Sequence, residues 1–243
     1  MEHNLLILGA SSDLATALIP RISGNFRTIF AHYNRSADKL KELQGSVSCQ
    51  MELLQADFTS ERETKQLVDQ VAESQISVTH ILHCPSARLR SERFRKLSWE
   101  DYSVMLDTQV RSLFYAANRL LPQMAKQRYG KIVTILSSVT VGSPPAYMNA
   151  YITAKFAQLG LIKSLAAEYA GRSVQINAVS PSMIETKFLR NIPNLMVEQN
   201  SNDHPLKRNA AVEDIIPVIE FLLSDRNSFI TGQNLLVSGG SVI

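Results

Sequence analysis

Short runs of apolar residues alternate along the chain with longer segments whose apolar residues recur every three or four positions. Seven apolar runs are predicted as strands: residues 5–8, 28–33, 51–55, 78–84, 131–136, 174–179 and 234–237. Nearly every position in them is apolar, which is typical of a parallel sheet covered on both faces. Six amphipathic segments are predicted as helices: residues 14–22, 37–43, 60–73, 99–127, 147–170 and 212–223.

This alternation predicts an α/β fold with right-handed crossovers. We expect a Rossmann-like, doubly wound, seven-stranded parallel sheet with helices on both faces. The 243 residues suit one domain, and no repeat or linker interrupts them, so residues 1–243 are expected to form a single dinucleotide-binding and catalytic domain. Residues 181–205 contain three prolines and no predicted strand, which is typical of a mobile lid over a site.

Composition excludes several classes of protein. The net charge of +3 does not favour a nucleic-acid binder, and no apolar run approaches the length of a membrane span. The first residues lack the basic start and long apolar stretch of a signal peptide. Two cysteines are too few for a disulfide framework, so the cytoplasm is the expected compartment.

A turn of small residues, Gly9 to Ser12, joins the first predicted strand to the first helix. Such a turn presents free backbone N–H groups and the positive end of a helix, where a pyrophosphate can sit. Only Gly9 fills a glycine position of the usual spacing, because Asp13 and Ala15 stand where glycines are commoner. A structural turn with Ser12 or Asp13 as the helix cap explains the pattern almost as well.

The second and third strands end in residues that suit the adenosine half of a dinucleotide. Asn34, Arg35 and Ser36 follow the second strand without the acidic residue that would favour NAD. Arg35 and Ser36 could instead hold a 2′-phosphate, which indicates NADP; alternatively, Arg35 is a solvated loop residue. Asp57, next to Phe58, either accepts a hydrogen bond from the adenine amine or caps a turn.

Tyr151 and Lys155 are the candidate catalytic pair. They lie four residues apart in a predicted helix and therefore share a face. A nearby ammonium favours the phenolate, so we expect Lys155 to lower the pKa of Tyr151 and make the phenol a usable proton donor or acceptor. The spacing alone is common by chance. Ser137 and Ser138 end the fifth predicted strand, and Ser138 precedes Tyr151 by thirteen residues.

Together with the segments Asn177-Ala-Val-Ser-Pro-Ser-Met-Ile-Glu-Thr and Ile230-Thr-Gly-Gln-Asn-Leu-Leu-Val-Ser-Gly-Gly, these motifs resemble the short-chain dehydrogenase/reductases, and within them the 3-oxoacyl-[acyl carrier protein] reductases. The resemblance covers nearly the whole chain. It implies that Tyr151 is the general acid/base, that Lys155 holds the nicotinamide ribose, and that Ser138, chosen over Ser137 by the spacing, binds the substrate oxygen. It also implies these cofactor-binding residues: Gly9, Ser11, Ser12, Leu14, Asn34, Arg35, Ser36, Asp57, Phe58, Tyr151, Lys155, Pro181, Ile184 and Thr186.

The implied function is NADP(H)-dependent reduction of a ketone, most specifically a 3-oxoacyl thioester of acyl carrier protein or coenzyme A, as in fatty acid or polyketide biosynthesis. The alternatives are an oxidoreductase of another alcohol or ketone, or a non-catalytic NADP-binding regulatory or structural partner. Segment 182–205 resembles the substrate lid, and the long helices resemble the pair that forms homodimers and homotetramers. Basic residues after the fourth strand form either a landing site for an acidic carrier protein or a solvated loop: Arg88, Arg90, Arg93, Arg95 and Lys96.

Three features depart from the family pattern. They are the acid and alanine of the glycine turn, residues His83 to Ser86 in place of Asn-Asn-Ala-Gly, and Gln109 in place of an asparagine that props a water in the proton relay. We count Gln109 among the catalytic candidates. His80 and His83 do not predict a metal site, because residues three apart on a strand point to opposite faces.

Overall fold

The computed structural model describes residues 2–243, apart from the side chain of Asn191. The strands are β1 Asn4–Leu8, β2 Thr28–Tyr33, β3 Gln50–Gln55, β4 His80–His83, β5 Gly130–Ile135, β6 Val174–Pro181 and β7 Asn234–Val237. The helices are α1 Asp13–Ile22, α2 Asp38–Gln44, α3 Glu61–Glu73, α4 Trp99–Leu106, α5 Ser112–Gln127, α6 Asn149–Tyr169, α7 Asn194–Asp203 and α8 Val212–Leu223. A single-domain, Rossmann-like fold is thereby confirmed.

The seven strands form one parallel sheet in the order β3-β2-β1-β4-β5-β6-β7. The order reverses at β1, which pairs with β2 on one side and β4 on the other. At such a reversal the loops diverge to opposite faces and leave a crevice at the carboxyl ends of the strands. The fold therefore locates the candidate site beyond Leu8 and His83.

Alternate side chains of each strand build two separate apolar layers. In β1, Leu6 and Leu8 face the layer formed with α3, α5 and α6, while Leu5 and Ile7 face the layer formed with α1, α2 and α8. All four are fully buried. Fully burying a leucine or isoleucine contributes about 1.5–3 kcal/mol, so β1 firmly anchors the turn that follows it.

The long helix predicted over residues 99–127 is continuous, but one of its turns departs from α-helical geometry. Residues Asp107–Arg111 form a π-helical turn between α4 and α5. Hydrophobic spacing did not predict this turn, since one wide turn shifts the apolar stripe only slightly. Turns of this kind are frequent at functional sites because they free backbone groups from the regular ladder.

Segment 182–205 contains more regular structure than the sequence indicated. It holds a short 3₁₀ turn, Lys187–Asn191, and the helix α7. The residues of α7 are mostly polar and none is buried, which explains why no apolar periodicity marked it. The predicted helix start at residue 147 is also wrong: Tyr147 has a φ of 67°, and α6 begins at Asn149.

Candidate active site

Gly9 lies where the loops after β1 and β4 come into contact. Its φ is +77°, and a Cβ at this position would lie 3.0 Å from the Pro85 nitrogen and 3.1 Å from the Cys84 carbonyl carbon. Any side chain would therefore push the two loops apart. The glycine keeps the crevice narrow, and its own N–H donates to Nδ1 of His32 at 2.9 Å.

Ser12 caps helix α1, as the structural interpretation of the turn predicted. Its hydroxyl accepts a hydrogen bond from the Ala15 N–H at 3.3 Å. Ser11 beside it is exposed, whereas the Leu14 side chain is buried in the core. The turn thus presents the amino end of α1 to the crevice, with Ser11 as its open side chain.

The carboxylate of Asp13 is turned away from the crevice. Its Oδ1 accepts a hydrogen bond from Lys39 Nζ at 3.0 Å, and its Oδ2 accepts one from the backbone N–H of Lys187 at 2.8 Å. Burial raises the pKa of Asp13, but the bonds from Lys187 and Lys39 outweigh it and hold the pKa below its ordinary value. An acid is tolerated in the turn for this reason, and it ties segment 182–205 to the turn.

The predicted adenosine residues come together beyond β2 and β3. Burial raises the pKa of Asp57, but hydrogen bonds from Thr59 and Asn34 and the charge of Arg35 bring it below its ordinary value. Asp57 Oδ1 accepts from both the N–H and the hydroxyl of Thr59, at 2.9 and 2.8 Å, so it also caps a turn. Arg35 and Ser36 are exposed, and Ser36 donates to Asp38.

The Phe58 side chain is directed away from these predicted adenosine residues. Its side chain is buried and stacks on the His32 ring, with 4.0 Å between the ring centroids. The residue follows a strand end and looked accessible from its place in the sequence. The preference of its ring for the core decides its orientation, so the side chain cannot stack on an adenine.

Tyr151 and Lys155 lie one turn apart on α6, and both side chains are buried. Lys155 Nζ lies 5.7 Å from the centroid of the Tyr151 ring and donates to the carbonyl oxygen of Ile135 at 2.8 Å. Burial lowers the pKa of Lys155 to about 7. The ammonium can therefore exchange a proton near neutral pH.

The expectation that Lys155 lowers the pKa of Tyr151 is not met in this structure. Burial raises the pKa of the phenol, and a hydrogen bond with the Ser137 side chain offsets part of this increase. The ammonium of Lys155 is directed to the Ile135 carbonyl instead of the phenol. Tyr151 is consequently held in its protonated form.

Both candidate serines follow the end of β5, and one of them contacts Tyr151. Ser137 bonds the phenol, and its hydroxyl also accepts from the Val139 N–H at 3.4 Å. Ser138 begins the 3₁₀ turn Ser138–Thr140 and is partly exposed. The choice of Ser138 as the oxyanion ligand stays a prediction, with Ser137 as the residue that contacts Tyr151 here.

The surroundings of Tyr151 are apolar. Its ring lies 6.1 Å from that of Phe188 in segment 182–205, at an interplanar angle of 41°. The buried residues packed with it are Leu89, Met105, Ala150 and Ala154. Sequence reasoning did not single out Phe188, because segment 182–205 contains several other apolar residues and no spacing that marks this one. The side chains packed around the Tyr151 ring are therefore mostly apolar.

The segment after β6 completes the crevice. Pro181 ends the strand, Ile184 forms a bridge with Ala210, and Thr186 donates to the Ile184 carbonyl oxygen at 3.4 Å. The hydroxyl of Ser182 is buried and has no hydrogen-bond partner among the described residues. A buried, unpartnered hydroxyl at this place is a group that a ligand could satisfy.

Gln109 lies fully buried in the π-helical turn, but its amide is not directed to Lys155. Its Nε2 contacts Sδ of Met105 at 3.3 Å, and its backbone carbonyl oxygen accepts from Gln158 Nε2 at 3.1 Å. The longer side chain reaches past the position where a shorter amide would end. Gln158 was missed from the sequence, although a glutamine on the buried face of an apolar helix is a detectable signal.

The two histidines of β4 lie in separate environments. His80 contacts Thr79 and Tyr129, whereas His83 contacts Ser112 and Gln158. Within residues 2–243, no three His, Cys, Asp or Glu side chains are grouped as metal ligands would be. None of the helices in the same range is long and apolar enough to cross a bilayer.

Comparison with known proteins gives one family and one fold. A family model described as enoyl-(acyl carrier protein) reductase matches residues 23–241. The 3-oxoacyl-[acyl-carrier-protein] reductase FabG of Thermotoga maritima is 29% identical over 241 residues, which cover 98% of this chain and 97% of that protein. The protein of the same name from Staphylococcus epidermidis is 26% identical over 243 residues, or 99% of each chain.

Solved structures share the fold at lower identity. Levodione reductase superposes with a TM-score of 0.89 at 21% identity, covering 98% of this chain and 96% of that one. A 3-oxoacyl (acyl-carrier-protein) reductase from Agrobacterium tumefaciens C58 with NADP bound gives a TM-score of 0.88 at 22% identity, covering 98% and 93%. At these identities the likeness concerns the fold alone.

Proposed function

This chain belongs to the short-chain dehydrogenase/reductase family of oxidoreductases, and we propose that it reduces a ketone to an alcohol with NADPH, its substrate being a 3-oxoacyl thioester. The observation that carries the proposal is the buried pair Tyr151 and Lys155 on α6, one with a protonated phenol and the other with a pKa of about 7. Such a pair can deliver a proton and recover it near neutral pH.

The residues present fit a nicotinamide dinucleotide. Gly9 has no room for a Cβ, so its turn stays close to the loop after β4. The Asp13 carboxylate is held away from the crevice by its own partners. The buried Ser182 hydroxyl lacks a hydrogen-bond partner in the described chain. The pyrophosphate would lie against the turn of Gly9, Ser11 and Ser12. We assign Asp57 and Asn34 to the adenosine, Tyr151 and Lys155 to the nicotinamide ribose, and Pro181, Ile184 and Thr186 to the nicotinamide.

Arg35 is the basis for NADP over NAD. It is exposed at the end of β2, next to Ser36, and no acid occupies the position that would hold the ribose hydroxyls. A guanidinium can bind a phosphate through two parallel hydrogen bonds.

NADPH held by these residues would supply the hydride for the carbonyl carbon. Tyr151 donates its proton to the carbonyl oxygen, and Ser138 stabilises the charge that develops on this oxygen. Lys155 holds the ribose and returns a proton to Tyr151, which its lowered pKa allows. Phe188 and Met105 exclude water from this exchange.

A thioester carried by an acidic protein fits the entrance. Arg93, Arg95 and Lys96 are exposed in the loop after β4, and Phe94 among them is 68% exposed. A basic surface with an apolar centre attracts an acidic partner and then holds it.

The half-exposed rings of Phe114 on α5 and Phe156 on α6 support a homodimer or homotetramer through these helices.

The test is NADPH oxidation against 3-oxoacyl thioesters of acyl carrier protein and coenzyme A, with simple ketones and enoyl thioesters as competing substrates. Tyr151→Phe should lower kcat at least about 100-fold, because the proton donor is removed. Tyr147→Phe is the matched control, since Tyr147 is half-exposed in the preceding loop. Near-normal turnover by Tyr151→Phe would refute the mechanism, and faster reduction of another substrate class would replace the thioester.

A further inference from the structure

A chain of fully buried polar side chains lies behind the catalytic pair: His83, Ser112 and Gln158. His83 Nε2 lies 2.8 Å from Ser112 Oγ, and His83 Nδ1 lies 3.2 Å from Gln158 Nε2. The same Nε2 of Gln158 lies 3.1 Å from the backbone carbonyl oxygen of Gln109. The chain joins β4, the π-helical turn and α6, none of which is adjacent in sequence to another.

The direction of each hydrogen bond follows from the ends of the chain. The Gln109 carbonyl can only accept, so the Gln158 atom facing it is the amide nitrogen, whose second hydrogen is donated to His83 Nδ1. His83 must therefore carry its proton on Nε2 and donate it to Ser112. Ser112 in turn donates to the Thr108 carbonyl oxygen at 2.6 Å.

This arrangement holds the imidazole neutral beside a cation. Burial is the main reason that the pKa of His83 lies well below its ordinary value, and the positive charge of Lys155 lowers it further, with a smaller contribution from His32. Cys84 is a further titratable group near Lys155, and desolvation raises the pKa of its thiol to about 12. Lys155 is consequently the group on which a positive charge can reside.

The position of Gln158 makes it a brace for the catalytic helix. It follows Lys155 by three residues and so lies on nearly the same face of α6. Lys155 has the Ile135 carbonyl as its hydrogen-bond acceptor, and a single bond does not fix a four-carbon side chain. The orientation of Lys155 therefore depends on how firmly α6 is held against β4 and the π-helical turn.

We propose that Gln158 and His83 form a clasp that positions Lys155 and Tyr151, with the imidazole locked as its neutral Nε2–H form. Neither residue touches the reacting atoms; both act through the placement of α6. The inference rests on the proposed reduction for its effect on rate, but the locked imidazole is a property of the chain itself. This gives two measurements, one of which needs no substrate.

The first measurement is histidine-selective nitrogen NMR, in which His83→Asn identifies the resonances of His83. The free protein should show one neutral form with the proton on Nε2 from pH 8 to pH 5, and Gln158→Leu should convert it to a mixture of forms. A mixture in the unaltered protein, or titration of His83 near its ordinary pKa, would overturn the clasp.

The second measurement is the pH dependence of kcat for NADPH-dependent reduction. Gln158→Leu should lower kcat about 10- to 100-fold, as small misplacements of catalytic groups do, with less than about twofold change in KM for NADPH. Gln158→Glu keeps the length but adds a charge, so it should move the pH profile to higher pH by stabilising the protonated forms of Lys155 and His83.

Asn177→Leu is the matched control. Asn177 is also a buried amide, bonded to the Ile230 carbonyl oxygen at 2.8 Å and to the Gln233 N–H at 3.1 Å, away from the catalytic pair. The Asn177→Leu variant should lose thermal stability without a change in the pH profile of kcat. An equal loss of kcat in the two leucine variants would refute the positioning role. If the unaltered protein reduces no substrate, the proposed function fails, while the NMR result still decides the clasp.

Discussion

Three buried histidines should make the protein unusually sensitive to mild acid. Burial lowers the pKa of His32 to about 4 and of His80 to about 3, and it holds that of His83 well below the ordinary value. An unfolded histidine binds a proton below pH 6.5, but these three do not while the protein is folded. The unfolded state therefore binds more protons, and stability falls as the pH drops from 6.5 toward the folded-state pKa values.

The size of the effect follows from proton linkage. The pKa of an unfolded histidine is about 6.5, so pH 5 lies 1.5 units below it. At pH 5 each buried histidine therefore lowers the free energy of unfolding by about 2 kcal/mol relative to neutral pH. Three of them cost about 6 kcal/mol, a large part of the 5–15 kcal/mol that typically stabilises a domain. Carboxylates with lowered pKa values, such as Asp214 at about 2, lose their contribution only in stronger acid.

His80→Asn isolates one of the three, away from the candidate site. Asparagine can keep the contact that His80 Nδ1 makes with the Thr79 hydroxyl at 2.8 Å, and it does not titrate. Urea unfolding at pH 7 and at pH 5 measures how much unfolding free energy each protein loses between the two pH values. This loss should be about 2 kcal/mol smaller in the variant than in the unaltered protein. Comparing each protein with itself cancels any loss of packing. The same pH dependence in both proteins would contradict the reasoning.

Three further predictions concern the site. Ser138→Ala should lower kcat about 100-fold, as loss of an oxyanion donor does, and Ser137→Ala less than about tenfold; the reverse order in steady-state kinetics would exchange their roles. Arg35→Ala should weaken NADPH binding about tenfold without affecting NADH, measured by nicotinamide fluorescence, and an equal effect on both cofactors would remove Arg35 from the phosphate site. Asp13→Ala should release the lid and speed trypsin cleavage after Lys187, whereas Asp13→Asn, which keeps an acceptor oxygen, should do so less; unchanged cleavage in both variants would refute the tether.

The sheet could be predicted from the sequence because its signal is local. Strands buried on both faces are apolar at nearly consecutive positions, and β2 has the predicted bounds for this reason. The bounds of β7, an edge strand with half-buried residues, also match the prediction. The start of β4 was predicted two residues too early, at residue 78. The backbone of Thr79 is still bonded to Asn4 and Lys131 there, so the error concerns only where regular pairing begins.

The contacts that shape the candidate site could not be predicted, because they join residues far apart in the chain. Asp13 meets Lys187 across 174 positions, and Gln158 meets His83 across 75. A single sequence shows that an acid or a glutamine is present but not which donor satisfies it. Motif spacing likewise indicated that a serine lies near Tyr151 without deciding which hydroxyl bonds the phenol.

The departures from the family pattern bear on whether the chain is a catalyst or only a binding protein. An unpaired charge in the turn after β1, or an unpaired imidazole behind α6, would distort the candidate site and favour the non-catalytic alternative. Instead Asp13 has Lys39 and a lid N–H as partners, and His83 has Ser112 and Gln158. Unpaired, each would cost about 1–3 kcal/mol or more, so the partners stabilise the altered residues. The changes at Asp13 and His83 are therefore built into the fold in a way that leaves Tyr151 and Lys155 free to react.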